Sequence, residues 1–495
     1  MTAAWHGQAK QNFLAVRYYA EIEDYESIFK LKLASSDFTA NASPENKALL
    51  LRLLEKCPEL ILLKYPRAVP VLAFALFVYN ETSILLELCD KIQNLLSKDK
   101  TTGKEIKNVL SGELAFITAF LAHNDFAKMC EGYRHAHSLI GGVTSVINKS
   151  GPWTFGSPSI LYMFYRHHAE TDTVCMEKNL KHYLLLTNGH GTGADCTMRA
   201  ELQFNMGDIE ASEITAHKAA FQADSEGQTS IYLCAVCLLA QVAIIKGDGA
   251  ALNTYIKLIE ERADRGQATV YYTTLSLARG FLGAVTENAE IIPEWLQKGE
   301  VGGRVRFMTA PYANIIYTKS LLLAGEYAKL AGIGDILLQE AAHYPNALAQ
   351  IYIAIHLSIA YEALTDRTRA ISTLQWAAQI ALPNKIYMPF AQNNALIGKI
   401  MKQIPDISSS DAKKIDQLAK RWTNGVNKIN ARKQTRLTQR EMQVALLVAE
   451  GAPNKAIAAK LGISPSTVKN LLARIFKKSG LSSRSALGKH IDKLD

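Results

Sequence analysis

The chain has 495 residues, of which 48% are hydrophobic and 20% charged, a composition typical of soluble globular proteins that excludes an extended disordered chain. One hydrophobic core rarely organises a chain of this length, so at least two domains are expected. The most apolar window, residues 68–79, is shorter than the roughly 20 residues of a membrane-spanning helix, and residues 1–12 lack the layout of a secretory signal. We therefore expect a cytoplasmic protein without a membrane partner.

The net charge of the chain is concentrated at one end. The chain has 55 basic and 46 acidic side chains, a formal charge of +9, and residues 431–495 contain thirteen of the former and four of the latter. Residues 1–430 therefore carry 42 basic and 42 acidic side chains. A compact basic end on a neutral body is typical of a contact with nucleic acid, because Lys and Arg that neutralise phosphates release condensed counterions. The alternative is a solvated basic tail.

The seven cysteines have no repeated spacing, so they do not indicate a disulfide framework. The one close pair, Cys234 and Cys237, lies in an apolar run without a second pair or a histidine to complete a zinc site. Buried helix packing is expected there. No nucleophile, base and orienting group occur in recognisable spacing, so we expect no enzyme activity, no metal and no cofactor.

Most of the chain is predicted to form helical hairpins. A turn-like element recurs at steps of 40, 40, 38 and 40 residues. Its markers are Asp208, Asp248, Asn288, Glu326 and Asp366. Each marker lies between two apolar helical stretches, a pattern typical of stacked hairpins in which the next repeat buries the apolar face. The chain is therefore predicted to be all-α, with a TPR-like α-solenoid over residues 1–404.

Two glycine-rich stretches, residues 151–159 and 188–193, interrupt the helical pattern. Side chains beside them are candidates for an effector site, because solenoids bind ligands on the surface that their stacked units form. The candidates are Trp153, Phe155, Tyr162, Arg166 and His190. The alternative is that these stretches are loops between helices and that their aromatic residues belong to the core.

A linker is predicted between the solenoid and the C-terminal end. Residues 405–410 are predicted to form a loop, 411–429 a short helix and 430–436 a basic connector. We therefore predict a helical-repeat sensor or interaction domain over 1–404, a linker over 405–436 and a small domain over 437–495.

The small domain has the periodicity of short helices. Thr438 is predicted to cap a first helix that ends at Gly451. Its apolar face is predicted to consist of Met442, Ala445, Leu446 and Ala449. A second helix follows Pro453 and stops at Gly462, a residue free to take the positive φ of a tight turn. Its inward residues are predicted to be Ile457, Ala458 and Leu461.

The third helix begins with the cap Ser464 and with Pro465, a residue suited to the first helical position. Its predicted buried residues are Val468, Leu472, Ile475 and Phe476. Its predicted polar residues are Lys469, Asn470, Arg474 and Lys477. A fourth helix begins at Ser482 or Ser483. The second and third helices, joined by the turn 462–464, form a helix-turn-helix whose reading helix spans residues 465–479.

These residues resemble the DNA-binding domains of the LuxR family, also called the FixJ or NarL family. The family pattern begins Leu-Thr-x-Arg-Glu, present here as Leu437, Thr438, Arg440 and Glu441. Further matches at fixed spacing are Ala449, Gly451, Asn454, Lys455, Ile457, Ala458, Leu461, Ile463, Ser464, Thr467, Val468, Lys469, Ile475, Lys478, Gly480 and Arg484. One departure is Leu471, where the family usually has His. An apolar residue suits the packed inner edge of such a helix, but a polar contact of that His is lost.

The resemblance implies which side chains contact DNA. Those implied to face base edges are Lys469, Asn470 and Ala473. Those implied to lie near phosphates are Lys455, Thr467, Arg474 and Lys477, and Ser466 is a further DNA-binding candidate. For Arg474 and Lys477 the alternative is that they are merely solvated. The resemblance also implies a bacterial protein that binds double-stranded DNA as a homodimer and contacts RNA polymerase.

The helical repeats resemble the superhelical sensor region of MalT-type regulators, although the repeat units are longer than the tetratricopeptide consensus. Those regulators also carry a nucleotide-binding module, which needs a Gly-x-x-x-x-Gly-Lys-Ser/Thr loop. No stretch of this sequence has that pattern. The chain therefore resembles their C-terminal half, either as a short form or as part of a longer product.

Two functions remain open. The leading hypothesis is a sequence-specific transcription regulator whose repeat region senses a small molecule or a protein. The alternative is an interaction scaffold that is tethered to DNA and does not regulate particular genes.

Overall fold

The structure is a computed structural model that describes residues 12–31, 33–39, 44–266, 268–435 and 439–479, together with 481, 483–484 and 486–487. Within these residues the regular secondary structure is entirely helical. The all-α prediction is therefore confirmed. The chain divides into two compact units, one of Met1–Val242 and Thr254–Ala419, the other of Ala243–Asn253 and Lys420–Asp495.

Helices follow one another at short intervals along the chain. Up to residue 435 the α-helices are Asn12–Glu21, Tyr25–Lys30, Ser35–Thr39, Pro44–Lys56, Glu59–Lys64, Ala68–Val78, Thr82–Lys98, Lys104–Ala119, Phe126–Ile140, Leu161–Phe164, Ala169–Leu186, Ala194–Asn205, Ile209–Ser225, Thr229–Lys246, Gly249–Gly266, Thr269–Val285, Glu294–Gln297, Ala310–Leu323, Tyr327–His343, Ala347–Ala363, Arg367–Ala381, Met388–Met401 and Ser409–Thr435. Short 3-10 helices are Phe120–Ala122, Ala289–Ile291 and Leu382–Asn384. Sequence neighbours such as Ala347–Ala363 and Arg367–Ala381 pack against each other, as expected of helical hairpins.

The turns at the repeat markers share one backbone arrangement. The residue before each marker has a positive φ, namely Gly207, Gly247, Glu287, Gly325 and Thr365. The marker's N–H then donates to the carbonyl five residues earlier, as from Asp208 to Gln203 at 2.9 Å, the hydrogen bond of a Schellman helix end. Asp208 and Asp366 also accept the N–H three residues on and so cap the next helix. The repeated sequence marker is therefore a helix stop and start signal.

Hydrogen bonds also join segments of the first unit that are far apart in sequence. The Ala347 N–H donates to the Tyr165 carbonyl at 3.1 Å, and the Tyr387 N–H donates to the Asn205 carbonyl at 2.8 Å. In an open solenoid each repeat contacts only its sequence neighbours. The hairpins near residues 165 and 205 therefore have partners that the repeat pattern alone does not predict.

One described helix, Thr229–Lys246, is long and apolar enough to cross a membrane by length and composition. Of its apolar window, 78% is buried inside the protein, which is typical of a core helix. The prediction that residues 68–79 are the most apolar window therefore did not single out this helix. It carries Cys234 and Cys237, whose thiols are buried and not joined in a disulfide, as expected for helix packing.

The predicted linker is more helical than expected. A single helix runs from Ser409 to Thr435, so residues 430–435, predicted to be a connector, continue the helix. In the second unit, a Cβ on Gly425 would fall well inside van der Waals contact of the Ile244 carbonyl oxygen. The helix can therefore approach this carbonyl closely because position 425 is glycine. The domain boundaries at residues 404 and 436 remain predictions.

Candidate nucleic-acid interface

Three helices of the second unit follow the linker helix, at Gln439–Ala449, Asn454–Leu461 and Pro465–Ser479. Between the last two, Gly462 takes the left-handed conformation with φ 64° and ψ 36°. The Ser464 hydroxyl then accepts the Thr467 N–H at 3.1 Å and caps the next helix. The predicted turn at residues 462–464 and the predicted bounds of the reading helix are confirmed.

A small hydrophobic core holds these helices together. Its buried members are Val444, Ala445, Leu447, Val448, Ile457, Ala458, Val468, Leu472, Ile475 and Leu487. The predicted inner face of the first helix was wrong at Leu446, which is 48% exposed. Val444, Leu447 and Val448 are buried instead, because the helix turns a different side of its nearly continuous apolar run toward the reading helix. Leu471 packs at the edge of this core, as expected of an apolar residue there.

One face of the reading helix is exposed and polar. Its exposed members are Ser466, Thr467, Lys469, Asn470, Ala473 and Arg474. Positions 466, 469, 470 and 473 have the i, i+3, i+4, i+7 spacing of one helix face. The side chain of Lys477 lies outside the described residues. The structure therefore leaves this predicted face open to a partner.

The basic groups described around this face are Lys455, Lys469 and Arg474. Lys455, on the preceding helix, is exposed. Within the part of the chain that the structure describes, no carboxylate forms an ion pair with Lys455, Lys469 or Arg474. The Ser464 hydroxyl also lies 2.7 Å from that of Ser466 and 2.8 Å from that of Thr467. Hydroxyls and cations at a helix N-terminus make a favourable environment for a phosphate.

An ion pair ties the first helix to the reading helix. The Lys478 ammonium donates to a Glu441 carboxylate oxygen at 2.6 Å, and Glu441 is only 3% exposed. Arg440 donates from its guanidinium to the Leu461 carbonyl, at the C-terminal end of the second helix, where a positive charge is favoured. The Leu-Thr-x-Arg-Glu motif therefore links the first helix to the reading helix through Glu441 and to the second helix through Arg440.

Arg484 makes a second set of links. Its guanidinium donates to the Asn454 side-chain oxygen at 2.6 Å and to the Ala452 carbonyl. Both acceptors lie where the second helix begins. Arg484 and Asn454 both match the family pattern, which by itself gives them no role, and the structure shows that they bond to each other. Thr438 and Gly480, two further matches, lie outside the described residues.

A helix-turn-helix with an unpaired basic face on its second helix is a nucleic-acid-binding module. Residues 435–490 match the profile of a family described as bacterial regulatory proteins, luxR family. The C-terminal end of this chain is therefore a LuxR-family helix-turn-helix domain, as the sequence predicts.

Two curated proteins are similar to the same stretch. The transcriptional regulatory protein YdfI of Bacillus subtilis (strain 168) is 44% identical over 54 residues, 11% of this chain and 25% of that protein. A protein of Aeromonas salmonicida, named as an HTH-type transcriptional regulator in the exeN 3′ region, is 50% identical over 52 residues, 10% of this chain and 26% of that protein. The chain thus spans about a quarter of the length of these relatives.

The five effector candidates do not form one site. Trp153, Phe155 and His190 line a common cavity of about 50 Å³ in the first unit. Tyr162 is buried elsewhere, in an aromatic cluster where its ring centroid lies 4.8 Å from that of Tyr312. Arg166 is paired with an aspartate, Asp125, at 2.9 Å.

Sequence reasoning missed most of the residues that line this cavity. Phe74 and Tyr133 lie in two different helices and Tyr344 directly follows a third, and only folding brings them together. The sequence signal near the cavity was limited to the aromatic residues beside the glycine-rich stretches. Among the described residues, no group of three His, Cys, Asp or Glu side chains could hold a metal ion.

Proposed function

We propose that this chain is a sequence-specific DNA-binding regulator of transcription. The observation that carries the proposal is the LuxR-family domain at residues 435–490, whose reading helix has an exposed, unpaired basic face. An α-helix fits the major groove of B-DNA, where each base pair presents a distinct pattern of donors and acceptors. The charge of +9 that the sequence concentrates in residues 431–495 supports binding to the phosphate backbone.

Within the reading helix we assign two roles. Lys469 and Asn470, with Ala473 one turn further, face base edges, since Lys suits the acceptors of guanine and Asn pairs with adenine. The residues assigned to phosphate contacts are Lys455, Ser466, Thr467, Arg474 and Lys477. The Ser466 and Thr467 hydroxyls lie at the first turn of the helix, where phosphate contacts set the register of a protein on DNA.

We further propose that the protein acts as a homodimer on paired half-sites in the bacterial cytoplasm and contacts RNA polymerase. A single small module buries limited surface on DNA, and a second copy adds the rest. The helical-repeat region is the proposed sensor of a small-molecule or protein effector. A ligand would change DNA affinity only if it bound the competent state more tightly than the other state.

The test is to map the genomic DNA that co-purifies with the intact protein. A regulator is expected to enrich a limited set of sites that share one motif, and a Lys469→Ala, Asn470→Ala double variant is expected to lose that enrichment. Lys420→Ala is the matched control, because Lys420 is an exposed helical lysine outside the matched domain. Uniform recovery of DNA by the wild-type protein would favour the scaffold.

A further inference from the structure

The cavity beside residues 151–159 has an unusual lining. It measures about 50 Å³ and is surrounded mostly by aromatic rings, and none of the described residues that line it is Asp, Glu, Lys or Arg. Trp153 packs on Phe164 with ring centroids 5.6 Å apart, and Phe77 meets Phe155 at 6.1 Å. Such walls favour apolar and aromatic occupants.

Polar side chains also lie at the cavity wall. His123 Nδ1 is buried and makes no hydrogen bond. Tyr133 and Tyr344 line the cavity and are 1% and 5% exposed, but their hydroxyl oxygens are not among the fully buried atoms that lack a partner. Buried polar groups in proteins almost always have a partner. His123 Nδ1 therefore marks a position where an occupant of the cavity can form a hydrogen bond, and the two tyrosine hydroxyls are further polar groups beside it.

The cavity is electrically neutral near pH 7. His190 is bonded on both sides, with Nδ1 at 2.7 Å from the Tyr183 hydroxyl and Nε2 at 3.0 Å from the Gly151 carbonyl. Burial lowers the pKa of His190 to about 4 and also lowers the pKa of His123. A charged occupant would lose its hydration without gaining an opposite charge.

The cavity can also change its size. Met129, Met163 and Met308 line it, and methionine side chains adapt readily to a new neighbour. The lining residue Phe155 is held at φ 53°, an uncommon and strained conformation for a bulky residue. The present volume is about a third of the roughly 150 Å³ of an engineered cavity that binds benzene, so a ring can enter once these side chains move.

We propose that this cavity binds a small uncharged aromatic molecule that carries a hydroxyl group. The ring would stack among Trp153, Phe155 and their neighbours, and the hydroxyl would bond to Tyr133, Tyr344 or His123. The inference rests on the proposed function only in making this molecule the effector, since binding itself does not depend on DNA.

The experiment titrates the full chain with phenol as the probe and follows binding by calorimetry and by Trp fluorescence. Benzoate, which is charged at pH 7, and toluene, which lacks the hydroxyl, are the comparison probes. Phenol is expected to bind to a single class of sites. Toluene is expected to bind at least tenfold more weakly, and benzoate is expected not to bind. Failure of phenol to bind at 25 °C up to its solubility limit would overturn the proposal.

Tyrosine variants distinguish phenol binding in this cavity from nonspecific phenol binding elsewhere on the protein. Tyr133→Phe and Tyr344→Phe each remove one hydroxyl and leave the ring in place, so both variants are expected to fold normally. At least one of them is expected to weaken phenol binding about tenfold. Tyr312→Phe is the matched control, because Tyr312 is a buried tyrosine of the same unit that does not line the cavity. Equal affinity in all three variants and the wild type would overturn the proposal.

DNA binding is measured on the same preparations. Phenol binding without motif enrichment would reject the proposed function and leave the ligand site standing. Motif enrichment without phenol binding would reject the ligand site alone.

Discussion

The ammonium of Lys478 on the reading helix lies 2.6 Å from a carboxylate oxygen of Glu441 on the first helix of the C-terminal domain. Glu441 is 3% exposed, and 22% of the Lys478 side chain is exposed. The pair therefore fixes the reading helix against the first helix at a point largely shielded from solvent. Partial shielding strengthens such a pair compared with one on the surface.

Glu441→Gln is expected to destabilise the domain by about 1–3 kcal/mol, because the partly buried ammonium loses a charged acceptor. Hydrogen exchange at residues 439–479 of the full chain measures this loss. Lys478→Met and the double variant complete a mutant cycle. Strictly additive effects of the two substitutions would show that the pair contributes no coupling.

Lys469 and Arg474 are expected to differ in what they do for DNA binding. Lys469→Ala is expected to cost about 1–3 kcal/mol on the preferred site and to flatten discrimination between sites, because a base contact is lost. Arg474→Ala is expected to weaken binding to all DNA sequences alike. It is also expected to lower the slope of the logarithm of the binding constant against the logarithm of the salt concentration by about one. Binding titrations at several salt concentrations measure both effects. Unchanged site preference in Lys469→Ala would refute the assigned reading face.

Two helical glycines, one crowded and one in open space, allow the cost of an added Cβ to be compared. Gly425→Ala is expected to destabilise the second unit, since its Cβ would overlap the Ile244 carbonyl and the two helices would have to separate. Gly332→Ala has open space around its Cβ and is expected to stabilise by roughly 0.5–1 kcal/mol through helix propensity. Urea unfolding of both variants checks these signs. A Gly425→Ala protein as stable as the wild type would contradict the close approach.

His190 makes stability depend on pH. Its pKa is lowered from 6.5 to about 4 by burial, so the unfolded state binds more protons than the folded state between these values. The free energy of unfolding is therefore expected to fall by roughly 3 kcal/mol from this group as the pH falls from 6.5 to 4, and to lose nothing further below that range.

The His190→Gln variant isolates this effect. Burial also lowers the pKa of His123 and His356, so only the difference between wild type and variant reports on His190. Urea unfolding at pH 7, 5.5 and 4.5 gives that difference. If the free energy of unfolding changed with pH in the same way for the wild type and the variant, a neutral, buried His190 would be contradicted.

The turn at residues 462–464 and the bounds of the reading helix could be predicted because their signals are local. Ser464, Pro465 and Gly462 specify a cap, a first helical residue and a left-handed turn from their own chemistry. The buried face of the first helix could not be predicted in this way, because seven of the eight residues from Met442 to Ala449 are apolar. Several faces of this helix are therefore equally apolar. Packing against the reading helix decides that Leu446 is exposed.

The repeat region shows where local signals end. Its markers predicted the turns, because an Asp, Asn or Glu that recurs between two apolar helical stretches is a local stop and start signal. The bond between Ala347 and Tyr165 joins positions 182 residues apart, which no repeat spacing indicates. The same holds for the cavity, where Trp153 and His190 stood out beside glycines but Phe74 and Tyr344 did not.

The most direct test of the central claim is selection of binding sites from a random duplex library by the full chain. A dimer is predicted to enrich one motif with two half-sites about one helical turn apart. A Lys469→Ala, Asn470→Ala double variant is predicted to lose the motif while it still retains DNA at low salt, and Lys420→Ala is predicted to select the wild-type motif. A double variant that selects the same motif as the wild type would contradict reading by residues 465–479.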